Sequence, residues 1–401
     1  MPKNIVILMD GTSNEIRKNR SNILRLYGTL KKSQDQIVFY DPGVGTFGAD
    51  NAWSRLWRKT VELWGLATGW GMDENVKESY RFIVEHFDRE AEEKDRIYII
   101  GFSRGAYTAR VLAGFLHAFG LVDKTNLNLL DYAYRAYKRI GDHGDAHAFD
   151  EIRLFNAVLR PYRPEIRFLG LFDTVSSVIE SGRFGPRLTS HAFTKHNPSV
   201  QSVRQAVSIA ERRTMFRPQL WPEDQPFRSN PYDEDTEVPQ DAREVWFSGV
   251  HGDVGGGYAE EESGLAKLPL DWLIDESRHT ELQFVDQTVD RVVMGEHGAT
   301  QYAPPDPLAD KHVSLKGFWW ISEYVPRRPQ ALSRRKPFLG LILPRGEPRW
   351  LPEGARLHWS VLKRVRELGD KPVNLPERYE IEGSESDTEN GTKADAPAKT
   401  A

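Results

Sequence analysis

The chain has 401 residues, of which 39% are apolar, and a formal net charge of −4. This length accommodates one large α/β domain or two smaller ones, and the charge gives no reason to expect a nucleic-acid partner. The absence of cysteine excludes disulfides and thiolate metal sites. No apolar run approaches a membrane span, and the run at 5–9 is too short for the core of a signal peptide. We therefore expect a soluble, cytoplasmic protein, with delivery by a specialised secretion system left open.

The first part of the chain predicts two buried strands and two helical regions. The strands are predicted at 5–9 and 36–40, with a helix at 22–32 between them. Residues 53–88 have a mostly helical pattern with two apolar stripes. The stripes consist of Trp53, Trp57, Val61 and Trp64 and of Tyr80, Val84 and Phe87. Such stripes form the core of a domain or face lipid, and both interpretations stay open.

A strand, a Gly-x-Ser-x-Gly motif and a helix follow one another in the next segment. Residues 97–100 are an apolar, β-rich run, and Gly-Phe-Ser-Arg-Gly follows at 101–105 without a spacer. Apolar residues then recur at helical spacing up to Phe119. This order is the context that a nucleophile elbow requires, and it predicts Ser103 as a catalytic nucleophile. The alternative is a purely structural strand-to-helix turn that uses two glycines and a serine.

The rest of the chain continues the alternation of strands and helical or irregular segments. The predicted elements are a helical insertion at about 121–165, a strand at 166–172, a loop-rich insertion at about 181–242, a strand at 244–250, a helix at 269–278 and an irregular segment at 301–356. Within the second insertion, residues 200–210 fit a helix or a strand, and the polar stretch 217–242 fits a lid or a surface loop. Residues 380–401 are rich in Ser, Glu, Asp, Thr and Ala, which predicts a disordered tail after a domain at 1–379.

Four side chains with catalytic chemistry come directly after predicted strands. They are Asp10, Ser103, Asp173 and His251. Because the carboxyl ends of parallel strands meet at one edge of a sheet, we expect these groups to lie close together. Each Asp or His alone would fit a cap or a turn. Together, in the order Ser, Asp, His, they match the chain order of the triad in α/β-hydrolases.

Elementary chemistry assigns a role to each member of this set. A serine hydroxyl becomes a nucleophile when a neutral imidazole takes its proton, and the imidazole needs a carboxylate to hold its tautomer. Ser103, His251 and Asp173 are assigned these roles. Asp253 is an alternative carboxylate, although its position suits it better to capping the turn after His251. His358 is an alternative base.

Negative charge that develops on a substrate oxygen needs hydrogen-bond donors. The amide of Arg104, at the start of the predicted helix, is the first expected donor. The second is expected from Gly11 or Thr12, which follow the first strand.

Five ordered motifs carry a resemblance to a known family. They are Asp-Gly-Thr-x-Asn at 10–14, Asp-Pro-Gly-Val-Gly-Thr at 41–46, Gly-Phe-Ser-Arg-Gly-Ala-Tyr-Thr-Ala-Arg at 101–110, Phe-Asp-Thr-Val at 172–175 and Gly-Val-His-Gly-Asp-Val-Gly-Gly-Gly-Tyr at 249–258. Over about residues 3–376 the chain resembles the DUF2235-like family of α/β-hydrolase domains, which includes Tle1-type phospholipase effectors of type VI secretion. The resemblance implies lipase or phospholipase chemistry with a Ser-Asp-His triad.

The expected fold is α/β-hydrolase-like, with a mostly parallel central sheet, helices on both faces and helical or loop insertions. The expected function is serine-dependent ester hydrolysis through an acyl-enzyme, without a cofactor or a metal. The expected substrate is a lipid or a small ester, reached by transient contact with a membrane surface. A basic run could approach anionic head groups or simply form a solvated surface. It consists of Arg327, Arg328, Arg334, Arg335 and Lys336.

Two other functions stay open on sequence grounds. A metal-dependent phosphohydrolase could hold Mg²⁺ or Zn²⁺ with Asp10, Asp173, His251 and Asp253. A phosphoaspartyl enzyme of the dehalogenase type is not favoured, because Leu8 stands where a second Asp would be needed. The other alternative is a binding module with a hydrolase fold and no catalysis, although no expected triad member is missing.

Overall fold

The structure is a computed structural model, and it describes most of the chain. The described residues are 2–11, 19–43, 70–143, 146–175, 179–182, 185–188, 191–229, 234–296, 301–327, 329, 333 and 335–385. The predicted stripe of Trp53, Trp57, Val61 and Trp64 lies outside these residues, as do Thr12, Arg328 and Arg334.

Twelve strands form one large sheet and two small hairpins in the described part of the chain. Their bounds are β1 Asn4–Met9, β2 Gln36–Asp41, β3 Arg96–Phe102, β4 Ile166–Phe172, β5 Ile179–Gly182, β6 Gly185–Leu188, β7 Val200–Ser208, β8 Pro226–Arg228, β9 Glu237–Pro239, β10 Asp241–Phe247, β11 Ala355–His358 and β12 Tyr379–Glu382. The large sheet has the order β12-β11-β10-β7-β4-β3-β1-β2. All of its neighbouring strands pair in parallel, whereas β5–β6 and β8–β9 are antiparallel.

α-Helices follow β1, β2, β3, β10 and β11, whereas the connections from β4 to β7 and from β7 to β10 contain no α-helix among the described residues. The described α-helices are α1 Asn22–Thr29, α2 Trp70–His86, α3 Arg104–Phe119, α4 Leu130–His143, α5 Ala146–Leu159, α6 His251–Gly255, α7 Gly264–Arg278, α8 Asp286–Val292, α9 Phe318–Glu323 and α10 Trp359–Leu368. Short 3₁₀ turns occupy Lys124–Leu129, Thr214–Phe216, Glu234–Thr236 and Glu260–Glu262. No helix among the described residues is both long enough and apolar enough to cross a membrane.

The central strands are buried on both faces because their alternate side chains enter two different apolar clusters. In β1, Ile5 and Ile7 pack in a cluster with side chains of α2 to α5, whereas Val6 and Leu8 pack in a second cluster with side chains of α1, α7 and α8. All four are fully buried, and each such side chain stabilises the fold by about 1.5–3 kcal/mol. Helices on both faces of a parallel sheet confirm the predicted fold class.

Some segments differ from the sequence-based expectation. The ambiguous segment 200–210 contains strand β7, and the irregular segment 301–356 contains helix α9. The tail expected to be disordered from residue 380 begins inside β12, so the predicted boundary at 379 falls within that strand. Parallel pairing with β11 over four residues places this edge strand, and Arg356 also forms ion pairs with the glutamates of β12.

The polar stretch 217–242 is partly built into the fold. It contains the β8–β9 hairpin and the buried Trp221, whose indole N–H donates to the Gln240 side chain at 2.9 Å. Its beginning lies beside the end of β4, because the amide of Gln219 donates to the carbonyl of Thr174 at 3.0 Å.

Candidate active site

Ser103 occupies a sharp turn between β3 and α3. Its backbone has φ 58° and ψ −119°, a region that serine rarely adopts. The amide of Ser103 donates to the carbonyl of Phe172 at 2.9 Å, which ties the turn to the neighbouring strand β4. A residue held in such a sparsely populated conformation marks a position where the fold, rather than local preference, dictates the geometry.

The two glycines of the motif are needed because backbone segments approach closely on both sides of the turn. A Cβ at Gly105 would lie 2.2 Å from the carbonyl oxygen of Met9, and a Cβ at Gly101 would lie 2.5 Å from the carbonyl oxygen of Gly105. These contacts involve backbone, which cannot move aside. The motif therefore sets how closely the first turn of α3 packs on the end of β1.

His251 connects Ser103 to Asp173 through both of its ring nitrogens. Nε2 lies 2.8 Å from the Oγ of Ser103, and Nδ1 lies 2.5 Å from the Oδ2 of Asp173. A carboxylate can only accept, so Nδ1–H donates to Asp173 and leaves Nε2 of the neutral ring to accept from the serine hydroxyl. All three residues are buried. This geometry can pass a proton from the hydroxyl to the imidazole.

Two phenylalanines pack against the imidazole of His251. The ring centroid of Phe102 lies 4.8 Å away, and that of Phe216 lies 4.9 Å away at a steep angle. Phe102 ends β3 directly before Ser103, and Phe216 belongs to the 3₁₀ turn after β7. The rings restrict rotation of the imidazole and keep water from its faces.

The carboxylate of Asp173 is held by more partners than His251 alone. Arg349 forms a two-pronged ion pair with it, at 2.6 Å from Nη1 to Oδ1 and 3.0 Å from Nη2 to Oδ2. The amide of Ser208 donates to Oδ1 at 2.9 Å. Arg349 also donates to the carbonyls of Ser208 and Phe216. It comes from a loop without a recognisable motif, and no local sequence signal could have identified it.

Burial would raise the pKa of Asp173, but the charge of Arg349 and the hydrogen bond from His251 outweigh burial and place that pKa well below its ordinary range. The carboxylate of Asp173 therefore stays ionised over the pH range in which an imidazole gains or loses a proton.

Glu211 binds the backbone of His251. Its Oε2 accepts from the amide of His251 at 3.2 Å, and its carboxylate forms an ion pair with Arg213. The hydroxyl of Ser314 donates to its Oε1 at 2.8 Å. Burial would raise the pKa of Glu211, but the hydrogen bonds and charge of Arg213, with the charge of Arg349, lower it to about 2. Sequence reasoning did not identify Glu211 either.

Of the donors expected for a substrate oxygen, the amides of Arg104 and Gly11 belong to the described residues. Arg104 is the first residue of α3, so its amide lies at the helix N-terminus directly after Ser103. The amide of Gly11 donates to the Oδ1 of Asp10 at 2.7 Å. Asp10 also accepts from Ser21 and from the hydroxyl of Tyr40. Asp10 therefore links the end of β1 to Ser21 and to β2, whereas Thr12 lies outside the described residues.

The two alternative members of the predicted site lie in other environments. Asp253 accepts from the amide of Val250 at 2.8 Å and pairs with Nδ1 of His312 at 2.6 Å. His358 caps the N-terminus of α10, where its Nδ1 lies 2.8 Å from the hydroxyl of Ser360, and its ring stacks on Phe247. Burial lowers the pKa of His358 to about 3. Neither side chain has a hydrogen bond to Ser103 or Asp173 among those described.

The carboxylates considered for a metal do not converge. Within the described ranges, no group of three His, Asp or Glu side chains has a geometry that could hold a metal ion. Asp173 pairs with His251 and Arg349, and Asp253 pairs with His312.

Replacing Arg349 by methionine tests the buried ion pair. Arg349→Met leaves the carboxylate of Asp173 buried without its guanidinium, and we expect a loss of about 3–5 kcal/mol in the free energy of unfolding. Urea unfolding of the wild type and the variant measures this loss. The control is Arg349→Met combined with Asp173→Asn, which removes the buried charge and should recover part of the stability. An unchanged unfolding free energy in the single variant would contradict the assigned ion pair.

Replacing Glu211 by glutamine tests the pH dependence of stability. The pKa of Glu211 is depressed from 4.5 to about 2 in the folded protein, so its contribution is present above pH 4.5 and is lost as the pH falls toward 2. At about 1.4 kcal/mol for each pKa unit, the contribution is about 3 kcal/mol. We expect the stability difference between wild type and Glu211→Gln to be constant from neutral pH to about pH 5 and to shrink below it. A difference that stays constant through pH 3 would show that Glu211 titrates normally.

Comparisons with known proteins show what the chain resembles. A family model described as the catalytic domain of the Tle1-like phospholipase effector of type VI secretion (T6SS) matches residues 3–276. The uncharacterized protein YEL023C of Saccharomyces cerevisiae is 33% identical over 227 residues, which cover 54% of this chain and 32% of the yeast protein.

Two solved structures are similar to part of the chain. A crystal structure of an uncharacterized protein from Pseudomonas aeruginosa has 18% identity and a TM-score of 0.38, covering 71% of this chain and 47% of the other. A structure of the Tle1 effector bound to the VgrG spike of the type VI secretion system has 20% identity and a TM-score of 0.31, covering 66% and 52%. The chain thus spans about a third of the yeast relative and about half of each structure. Because the family model covers more than half of its residues, the chain belongs to the Tle1-like catalytic domain family of phospholipase effectors.

Proposed function

We propose that this chain is a serine-dependent ester hydrolase of the lipase or phospholipase type, with Ser103, His251 and Asp173 as its catalytic triad. The observation that carries the proposal is the buried hydrogen-bonded line from the Ser103 hydroxyl through both nitrogens of His251 to Asp173. Membership in a phospholipase family supports an ester of a lipid as the substrate class.

The first half-reaction forms an ester on Ser103. The Oγ of Ser103 attacks the substrate carbonyl carbon while its proton moves to Nε2 of His251. The carbonyl oxygen becomes an oxyanion in the tetrahedral intermediate. As the intermediate collapses, the bond to the leaving alcohol breaks, and that alcohol takes the proton from Nε2. The acyl group stays on Ser103.

The second half-reaction restores the enzyme. A water molecule gives a proton to Nε2 of His251 and attacks the acyl carbonyl, and the second tetrahedral intermediate releases the carboxylic acid as Ser103 regains its proton. The ionised Asp173 stabilises the imidazolium in both half-reactions. Arg349 keeps that carboxylate ionised and fixed in place, and it acts as a positioning residue because it does not touch the reacting atoms.

The oxyanion needs donors on the side of Ser103 away from His251. We propose the amide of Arg104 as one donor, because it adjoins Ser103 at the N-terminus of α3. The second donor is proposed from the Gly11–Thr12 segment. In this structure the amide of Gly11 donates to Asp10, so it can serve only after turning toward the substrate oxygen.

Single and double substitutions test the triad as one unit. We expect Ser103→Ala and His251→Ala each to lower ester turnover on the order of 10⁴-fold, and their combination to cost little more. Hydrolysis of a soluble p-nitrophenyl ester measures these rates, with circular dichroism to check folding. The matched control is His358→Ala, which removes a buried histidine that caps α10 and should lose stability but only modest activity.

Four outcomes would count against the proposal. Turnover in Ser103→Ala within about tenfold of wild type would exclude Ser103 as nucleophile. A folded but inactive His358→Ala together with an active His251→Ala would reassign the base. Loss of turnover on adding a chelator would favour the metal-dependent alternative, and a folded wild type without any ester turnover would favour a binding module.

A further inference from the structure

Large apolar side chains are exposed in one short part of the chain. Seven of the eighteen exposed large apolar side chains among the described residues lie between 320 and 341. They are Trp320, Ile321, Tyr324, Val325, Phe338, Leu339 and Leu341, and we call them the apolar patch. Backbone hydrogen bonds from Arg345 to Glu323 and between Arg327 and Ile342 bring the end of α9 beside the later part of this segment. Adjoining exposed apolar side chains mark an interaction surface.

The most exposed part of the patch is the tip of a hairpin. Phe338 and Leu341 exchange backbone hydrogen bonds at 2.8 and 3.0 Å across a two-residue turn of Leu339 and Gly340. Both turn residues have positive φ, 49° for Leu339 and 76° for Gly340, which is the arrangement of a type I′ turn. Asn, Asp or Gly is preferred at the first of these positions. Leu339 is therefore unfavourable here in two ways: its backbone is in a conformation that leucine rarely adopts, and its side chain is 87% exposed.

Buried hydrogen bonds attach the segment that carries the apolar patch to the rest of the protein. The carboxylate of Glu323, at the end of α9, is fully buried and accepts from the amide and hydroxyl of Thr214 at 2.8 and 2.6 Å and from the amide of Gly346 at 3.1 Å. Arg327 and Ile342 also exchange two backbone hydrogen bonds. These hydrogen bonds therefore fix the backbone near the apolar patch to the rest of the protein.

Three cations line a groove beside the apolar tip. An open groove of about 560 Å³ runs between Pro326 and the hairpin, and Arg335, Lys336 and Arg345 line it. None of the described residues that line the groove is acidic. Lys336 and Arg345 are exposed. Exposed apolar side chains beside cations match the interface of an anionic bilayer, where the apolar groups enter the acyl boundary and the cations meet head groups.

A chain of aromatic contacts connects the patch to the proposed triad. The ring of Phe216 packs on His251 at 4.9 Å and on Trp319 at 5.4 Å. Trp319 directly precedes Trp320 and Ile321 in α9. A bilayer that contacts the patch would therefore lie next to the site that we propose for ester hydrolysis.

We propose that the apolar patch and its three cations form a docking surface for anionic lipid bilayers, through which the protein takes its substrate from the membrane. The part of this proposal that concerns substrate rests on the proposed ester hydrolysis. The docking itself does not, and the two can be tested separately.

The first experiment measures vesicle binding by co-sedimentation in the inactive Ser103→Ala background. Vesicles contain phosphatidylcholine alone or with 30% phosphatidylglycerol. The tip variant carries Phe338→Asp with Leu339→Asp. We expect it to bind the mixed vesicles at least tenfold more weakly, because two inserted side chains are replaced by anions. The matched control is Leu154→Asp with Val158→Asp on α5, whose side chains are 64% and 69% exposed, and it should change binding less than twofold.

The second experiment reverses the cations. Lys336→Glu with Arg345→Glu should weaken binding to the mixed vesicles more than tenfold, since each cation near an anionic surface contributes about a fivefold factor. Binding to pure phosphatidylcholine should change little. The control reversal is Lys124→Glu with Arg153→Glu, at exposed positions outside the patch, and it should have less effect.

The third experiment separates docking from catalysis in the protein with Ser103 intact. The tip variant should keep its turnover of a soluble ester and lose its turnover of vesicle lipid, whereas Ser103→Ala should lose both. If no ester is hydrolysed at all, the proposed function fails while the binding measurements still test the patch.

Two results would overturn the docking proposal. One is unchanged vesicle binding in the tip variant. The other is a wild type that does not bind the mixed vesicles. If that wild type also sediments as a dimer that the tip substitutions dissociate, the patch belongs to a contact with a second copy of the chain.

Discussion

The carboxylate of Asp173 is the buried charge on which the proposed site depends. A charge without solvent is costly, and Asp173 is fully buried, so its partners must be fixed in number and position. Arg349, the amide of Ser208 and His251 supply them. Arg349 in turn holds the carbonyls of Ser208 and Phe216. One ion pair therefore joins the ends of β4 and β7 and fixes the ring that packs on His251.

Residues 211–216, which follow β7, connect His251 to the segment that carries the apolar patch. Glu211 holds the amide of His251 and the hydroxyl of Ser314, and Thr214 binds the buried carboxylate of Glu323. Phe216 packs between His251 and Trp319. The proposed site and the apolar patch are thus joined by a continuous set of side-chain contacts. This continuity gives a physical reason why the proposed membrane contact would lie close to the proposed ester chemistry.

The sequence predicted the parts that obey local rules. The apolar runs before Asp10, Ser103 and Asp173 are strands because their side chains are buried on both faces, and parallel pairing then brings the strand ends together. Arg349 and Glu211 could not be predicted, because their partners are distant in the chain and lie in segments without periodicity. His251 was expected directly after a strand at 244–250, but β10 ends at Phe247, and His251 begins a short helix after residues 248–250. Residue 380 was expected in a tail, but it pairs with Arg356 of β11 in an edge strand, a partner 24 residues away that no local pattern indicates.

The central claim is that the Ser103 hydroxyl is activated by His251 and Asp173. Labelling with a fluorophosphonate, which reacts with activated serine hydroxyls, followed by peptide mass spectrometry, tests it most directly. We expect one adduct on Ser103 in the wild type, strongly slowed labelling in His251→Ala, and normal labelling in His358→Ala. A folded wild type that is not labelled at Ser103, or equal labelling rates in the wild type and His251→Ala, would contradict it.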